Sequence, residues 1–124
     1  MIERGGDRDR LVAACHCGQV RIRLPHLPQS VTHCNCSLCR KSGFWGVYFG
    51  GDEVIVEAAS LGGYVRSDLA EPMLTTWHCP RCGVATHWTP LTPPPHQRIG
   101  INARLLDPAL VEGLPVREVD GKSW

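Results

Sequence analysis

No long apolar run occurs in this sequence, and that absence excludes a membrane-spanning helix, which needs about 20 such residues. An apolar leader is missing as well. Met1 to Arg10 carries three arginines and three acidic residues where a secretory signal would be hydrophobic. Residues 1–10 therefore read as a solvated, disordered lead-in. The expected location is cytoplasmic, a reducing setting in which clustered thiols bind metal more often than they form disulfides. Charge of one sign is also scarce. Thirteen Lys and Arg against 12 Asp and Glu leave a formal +1, without the basic excess of a nucleic-acid-binding domain. Neither nucleic acid nor membrane is expected as a partner. Amphipathic helical periodicity is absent, apart from one turn that Pro108 to Gly113 could form.

What the chain does have is cysteine, and none outside three tight clusters. These are Cys15-His16-Cys17-Gly18, Cys34-Asn35-Cys36-Ser37-Leu38-Cys39 and Cys79-Pro80-Arg81-Cys82-Gly83. Seven is an odd number, which a purely disulfide-bonded framework would not leave. Zinc takes four ligands in a closed structural site and three plus an exchangeable one in a catalytic site. Seven divides naturally as four plus three. The pairs Cys15/Cys17 and Cys79/Cys82 are each followed by glycine, which supplies the left-handed turn that aims backbone N–H groups at sulfur. They suit a structural ion. Cys34, Cys36 and Cys39 come from six consecutive residues and could wrap a second, more labile ion on one side, leaving the other side for chemistry. His33 or His16 could instead close that second site. A partition in which the first two clusters share a metal splits the local triplet. A disulfide-exchange reading of Cys79-Pro80-Arg81-Cys82 lacks the βαβ context such motifs open.

The remaining pattern is mainly β. Period-two alternation marks strands at Val20 to Leu24, Trp45 to Phe49 and Ile99 to Leu105. Shorter candidates are Val54 to Ala58, Gly63 to Ser67, Leu74 to His78 and Val84 to Trp88. Pro93-Pro94-Pro95 marks a stiff loop. With 13 glycines and 10 prolines in 124 residues, turns dominate, and one domain over residues 11–124 is expected.

The ordered set Cys-x-Cys-Gly, His-Cys-x-Cys-Ser-x-Cys-Arg-Lys and aromatic-x-Cys-x-x-Cys-Gly resembles the glutathione-dependent formaldehyde-activating enzyme family, which includes the centromere protein V-like domain. It runs here as Cys15 to Gly18, His33 to Lys41 and Trp77 to Gly83, with Tyr64, Ser67 and Gly100 to Asp107 adding to the likeness. The resemblance implies a β-tent of short antiparallel sheets around zinc. It implies a structural ion on Cys15, Cys17, Cys79 and Cys82, and a catalytic ion on Cys34, Cys36 and Cys39. It further implies carbon–sulfur lyase chemistry that joins glutathione to formaldehyde as S-(hydroxymethyl)glutathione, or the reverse. Val84 stands where the family commonly has a small hydroxyl residue, and Thr75 and Thr76 where an arginine is common.

Three residues are candidates for work beside the open site. Arg40 and Lys41 follow Cys39 and could hold a substrate carboxylate, and His33 could transfer a proton or orient a ligand. Trp45, Tyr48 and Phe49 could line a pocket or fill the core. His78 and His87 are expected to pack within a sheet, and His26 and His96 to sit in loops. The expected partners are a small thiol such as glutathione and an aldehyde-derived substrate. The competing function is a zinc-stabilised binding module without chemistry, although a pure scaffold needs only one closed ion.

Overall fold

The computed structural model describes residues 11–91 and 98–121. The lead-in, the triple proline and His96 lie outside them. The described residues form ten strands: β1 (Val12–Ala14), β2 (Val20–Arg23), β3 (Val31–Cys34), β4 (Trp45–Gly50), β5 (Ile55–Ala58), β6 (Gly62–Val65), β7 (Leu74–His78), β8 (Ala85–Pro90), β9 (Arg98–Asn102) and β10 (Val116–Val119). Two short helices, α1 (Ser37–Ser42) and α2 (Pro108–Val111), interrupt them. One sheet has the order β1-β2-β5 and the other β10-β3-β4-β9-β8-β7-β6. Neighbours are antiparallel except β10, which runs parallel to β3. The fold is mainly β, as its alternation indicated. Among the described residues no helix is long and apolar enough to cross a membrane.

Strand alternation decides what each face of the larger sheet does. Val47 of β4 pairs with Ile101 of β9, and Phe49 with Ile99. All four are buried in one core with Ala13, Val20 and Ile22 of the smaller sheet. Burying a side chain of this kind contributes about 1.5–3 kcal/mol, so this shared core joins the two sheets. The intervening residues face the other way. Tyr64, Thr76, Trp88, Gly100 and Tyr48 stand in one register row across β6, β7, β8, β9 and β4. That row floors the site described below.

Seven strands lie where alternation placed them, β7 with both ends as expected. β9 is shorter than Ile99 to Leu105. At Asn102 the side chain accepts the Arg104 N–H, and Ala103–Leu105 turns as a 3-10 helix. Strands β1, β3 and β10 and helix α1 were not expected. The single turn after Asp107 does form, with Pro108 in its first turn and the Asp107 carboxylate accepting the Ala109 N–H.

Candidate metal centre and adjoining cleft

The first and third clusters fold into matching turns. Cys15 N–H donates to Val20 C=O at 3.0 Å, and Cys79 N–H to Val84 C=O at 3.0 Å, so each turn closes across the same five-residue span. Gly18 and Gly83 take φ of 84° and 80°, the left-handed conformation expected of them. Backbone N–H groups then reach sulfur: Val20 to Cys15 Sγ at 3.3 Å, and Arg81 and Cys82 to Cys79 Sγ at 3.3 and 3.4 Å. The Gln19 amide adds a bond to Cys79 Sγ at 3.1 Å and anchors itself on Ser60 C=O at 2.8 Å.

The four sulfurs lie within 4.8 Å of one another. Cys15 and Cys17 are 3.7 Å apart, and Cys17 and Cys79 3.6 Å. A disulfide would need about 2.05 Å, and all seven cysteines are free. Zinc–sulfur bonds of about 2.3 Å in a tetrahedron place sulfurs about 3.8 Å apart. The set could therefore hold a metal ion, and the two distances are consistent with zinc. Burial pushes the Cys79 thiol up, but the Gln19 amide and the N–H groups of Cys82 and Arg81 outweigh it and bring it down to about 6. Easier deprotonation favours ligation.

Cys34, Cys36 and Cys39 also bring their sulfurs within 4.8 Å of one another. Cys34 ends β3, Cys36 caps α1 by accepting the Cys39 N–H at 3.3 Å, and Cys39 lies in the first turn of α1. Among the described residues no histidine, carboxylate or further cysteine joins this set. Burial pushes the Cys36 thiol up, but the Cys39 N–H, the Cys39 and Cys34 thiols and the charge of Arg66 bring it below its ordinary value. Burial and Cys36 push Cys39 up. The chain end closes over the set on one side. Asn35 N–H donates to Val119 C=O at 3.1 Å, and the Asn35 amide to Asp120 Oδ1 at 2.9 Å. Gly121 then passes so close to Cys34 Sγ that a Cβ there would collide with the sulfur.

On its other side the set borders a cleft of about 430 Å³. Leu38, Phe44, Leu74, Trp77 and Trp88 supply much of its wall, with Tyr48 and Tyr64 on the sheet floor. Two arginines line it, and among the described residues no aspartate or glutamate does. Arg66 is held by Asp68 through Nε at 3.0 Å and Nη2 at 2.6 Å. Arg98 lies 4.4 Å above the Tyr48 ring. Hydrogen bonds from the Ser67 hydroxyl and then the Ser67 N–H lower the Tyr64 phenol below its ordinary value. His87 donates to or accepts from Thr86 Oγ1 at 2.8 Å, and burial pulls its imidazole down to about 4, so it is neutral.

The structure gathers all seven cysteines as four and three, and places the other candidates elsewhere. Arg40 and Lys41 are exposed in the last turn of α1 and do not line the cleft. His33 precedes Cys34 on a strand, and alternation sends it to the opposite face. There its ring stacks on Trp45 at 4.5 Å, with Glu118 Oε1 3.8 Å from Nδ1. Arg104 covers the Trp45 ring at 3.8 Å. His16 is exposed and lies apart from the three-cysteine set. Of the three aromatics on β4 only Tyr48 reaches the cleft; Phe49 is core beside His26. His78 and His87 lie in the sheet as expected, yet both also line the cleft. Arg66 and Arg98 were missed. The signal for Arg98 was the alternation of β9, which puts it on the same face as Gly100 and opposite Ile99.

The chain is similar to known proteins in family and in fold. A family model described as glutathione-dependent formaldehyde-activating enzyme matches residues 10–117. A crystal structure of a Rhodobacter sphaeroides protein superposes with a TM-score of 0.64 at 26% sequence identity, covering 85% of this chain and 98% of that one.

Proposed function

This chain belongs to the glutathione-dependent formaldehyde-activating enzyme family, and from that premise we propose that it is a zinc-dependent carbon–sulfur lyase acting on thiol–aldehyde adducts. The observation that carries the reading is the convergence of Cys34, Cys36 and Cys39 on one wall of a cleft large enough for a small molecule. Cys15, Cys17, Cys79 and Cys82 would hold a structural zinc ion, and the three-cysteine set a second, more labile one. When bound there, zinc supplies stabilisation of a thiolate at its open position.

The chain's own residues account for the rest. In the forward direction a thiol sulfur adds to the aldehyde carbon. The thiol gives up its proton as the C–S bond forms, the carbonyl π pair moves to oxygen, and a proton arrives on that oxygen to give a hemithioacetal. The reverse breaks the C–S bond and returns the proton. Tyr64 lines the cleft and its phenol pKa is lowered by Ser67, so it is the group assigned to carry that proton. Arg66 offsets negative charge on the three sulfurs while Asp68 fixes its orientation. The aromatic walls limit water around the reacting carbon.

The test follows S-(hydroxymethyl)glutathione forming and decaying by NMR, with zinc-loaded protein against buffer. Acceleration that disappears in Cys36→Ser and falls about 100-fold in Tyr64→Phe, a typical effect of losing a general acid, is the expected result. Rates equal to buffer would replace the lyase with a zinc-stabilised binding module.

A further inference from the structure

The charge and polarity of the cleft bear on which thiol it takes. Glutathione carries two carboxylates and an α-ammonium. A site built for it would offer a carboxylate to the ammonium, because a buried unpaired charge is costly. Among the described residues no aspartate or glutamate lines this cleft. Asp68 is near, but both its oxygens are engaged by Arg66. That pairing also occupies Arg66, leaving one arginine in the lining without a carboxylate partner among the described residues, Arg98.

Arg98 is exposed at the start of β9 and rests on one neighbouring ring. Its guanidinium carbon lies over the Tyr48 ring, 4.4 Å from the centroid, and its N–H groups could take a bidentate carboxylate. Trp88 lies beyond Tyr48, ring centroids 5.8 Å apart, and Trp77 and Leu74 extend the apolar surface. A ligand reaching from the three sulfurs to Arg98 would cross aromatic wall, with one cation at its far end.

We propose that the cleft takes a thiol with an aromatic or aliphatic body and a single carboxylate, held by Arg98, in preference to glutathione. The sulfur end of this assignment rests on the lyase reading above; the carboxylate end stands on Arg98 alone. Arg98 is the specificity-determining residue, and Arg40 and Lys41 take no part.

Four probes test this on the full zinc-loaded chain: 4-mercaptophenylacetate, its neutral amide, glutathione and sulfur-free 4-methylphenylacetate. Binding is read by tryptophan fluorescence, since Trp77 and Trp88 line the cleft. The aromatic acid should bind at least about tenfold tighter than its amide, the worth of a charge-assisted hydrogen bond, and tighter than glutathione. The preference for acid over amide should vanish in Arg98→Gln and persist in Arg40→Gln. Equal binding of acid and amide, tighter binding of glutathione, or a preference surviving in Arg98→Gln would overturn the proposal. Should Arg98→Gln not fold, the acid, amide and glutathione comparison on the unaltered chain decides alone. The two readings fail separately. Arg98-dependent binding of 4-methylphenylacetate without turnover of any thiol leaves the cleft assignment standing and removes the lyase. Turnover with glutathione bound tighter than the aromatic acid does the reverse.

Discussion

The two cysteine sets use the same element in opposite ways. The four-cysteine set ties together turns more than 60 residues apart in sequence, and Cys15 and Cys79 are themselves part of the core. The three-cysteine set comes from one local stretch at the end of β3 and faces a cleft. Backbone and Gln19 donors surround the first set, whereas among the described residues the sulfurs of the second receive one backbone N–H bond, from Cys39 to Cys36. Sequence separation and hydrogen bonding thus divide the thiols into those that hold the fold and those that remain available to a ligand.

The sharpest way to break this comparison is to remove one sulfur from each set. Cys79→Ser takes a ligand from the core. A structural zinc site contributes about 10–16 kcal/mol of apparent binding free energy at neutral pH, comparable to a typical domain's whole stability of about 5–15 kcal/mol. The variant should be insoluble or unfolded by circular dichroism. Cys36→Ser should leave the melting profile nearly intact while abolishing lyase activity and one equivalent of zinc. Chelator applied to the unaltered chain should likewise remove one ion with the fold retained, by elemental analysis. Equal destabilisation by both substitutions would mean that both sets are structural.

Much of this division was legible before any coordinates. The odd count and tight spacing of the cysteines separated four from three, and Gly18 and Gly83 marked the turns because only left-handed backbone closes them. What escaped has physical causes. Helix α1 is six residues long and buries none of them, so it carries no periodicity. Strand β10, Val-Arg-Glu-Val, pairs in parallel with β3 across about 85 residues, and no local pattern encodes such a partner. Arg40 and Lys41 adjoin Cys39 in sequence but turn away on the helix. Arg98 opens β9 and Arg66 directly follows β6, and only the sheet order β9-β8-β7-β6 assembles the two around the cleft. His33 shows the rule plainly: adjacency on a strand separates side chains rather than joining them.

A gentler pair of substitutions sharpens the comparison without removing sulfur. Gln19 spans from Cys79 Sγ to the loop before β6, donating to Ser60 C=O and accepting the Ala59 and Ser60 N–H groups at 3.1 and 3.3 Å. Gln19→Ala removes that strut. Loss of such a supporting contact commonly costs 10–100-fold in metal affinity, so zinc titration with a competing chelator should show the tight site weakened by about tenfold. The thermal midpoint should fall with it, and the weak site should be unchanged. A variant in which the weak site responds instead would reverse the assignment of the two sets.

The smallest expected effect belongs to Gly121→Ala, and it mirrors Gln19→Ala on the other set. A Cβ at this position meets Cys34 Sγ and comes within 3.1 Å of Cys36 Cβ. Something must give, and the neighbours are atoms of Cys34 and Cys36, two of the three clustered thiols. Overpacking typically costs about 1–3 kcal/mol. Here most of that strain should fall on the geometry of the three sulfurs, because Gly121 lies just past β10 at the sheet edge. The expected outcome is a weak-site zinc affinity lowered by about tenfold and a thermal midpoint shifted by no more than about 2 °C. Gly121 also lies beyond residue 117, where the family match ends. A large fall in melting temperature would show that the chain end supports the fold as a whole. Unaltered zinc binding at both sites would show that Gly121 does not constrain Cys34, and that α1 and β3 alone set the spacing of the three sulfurs.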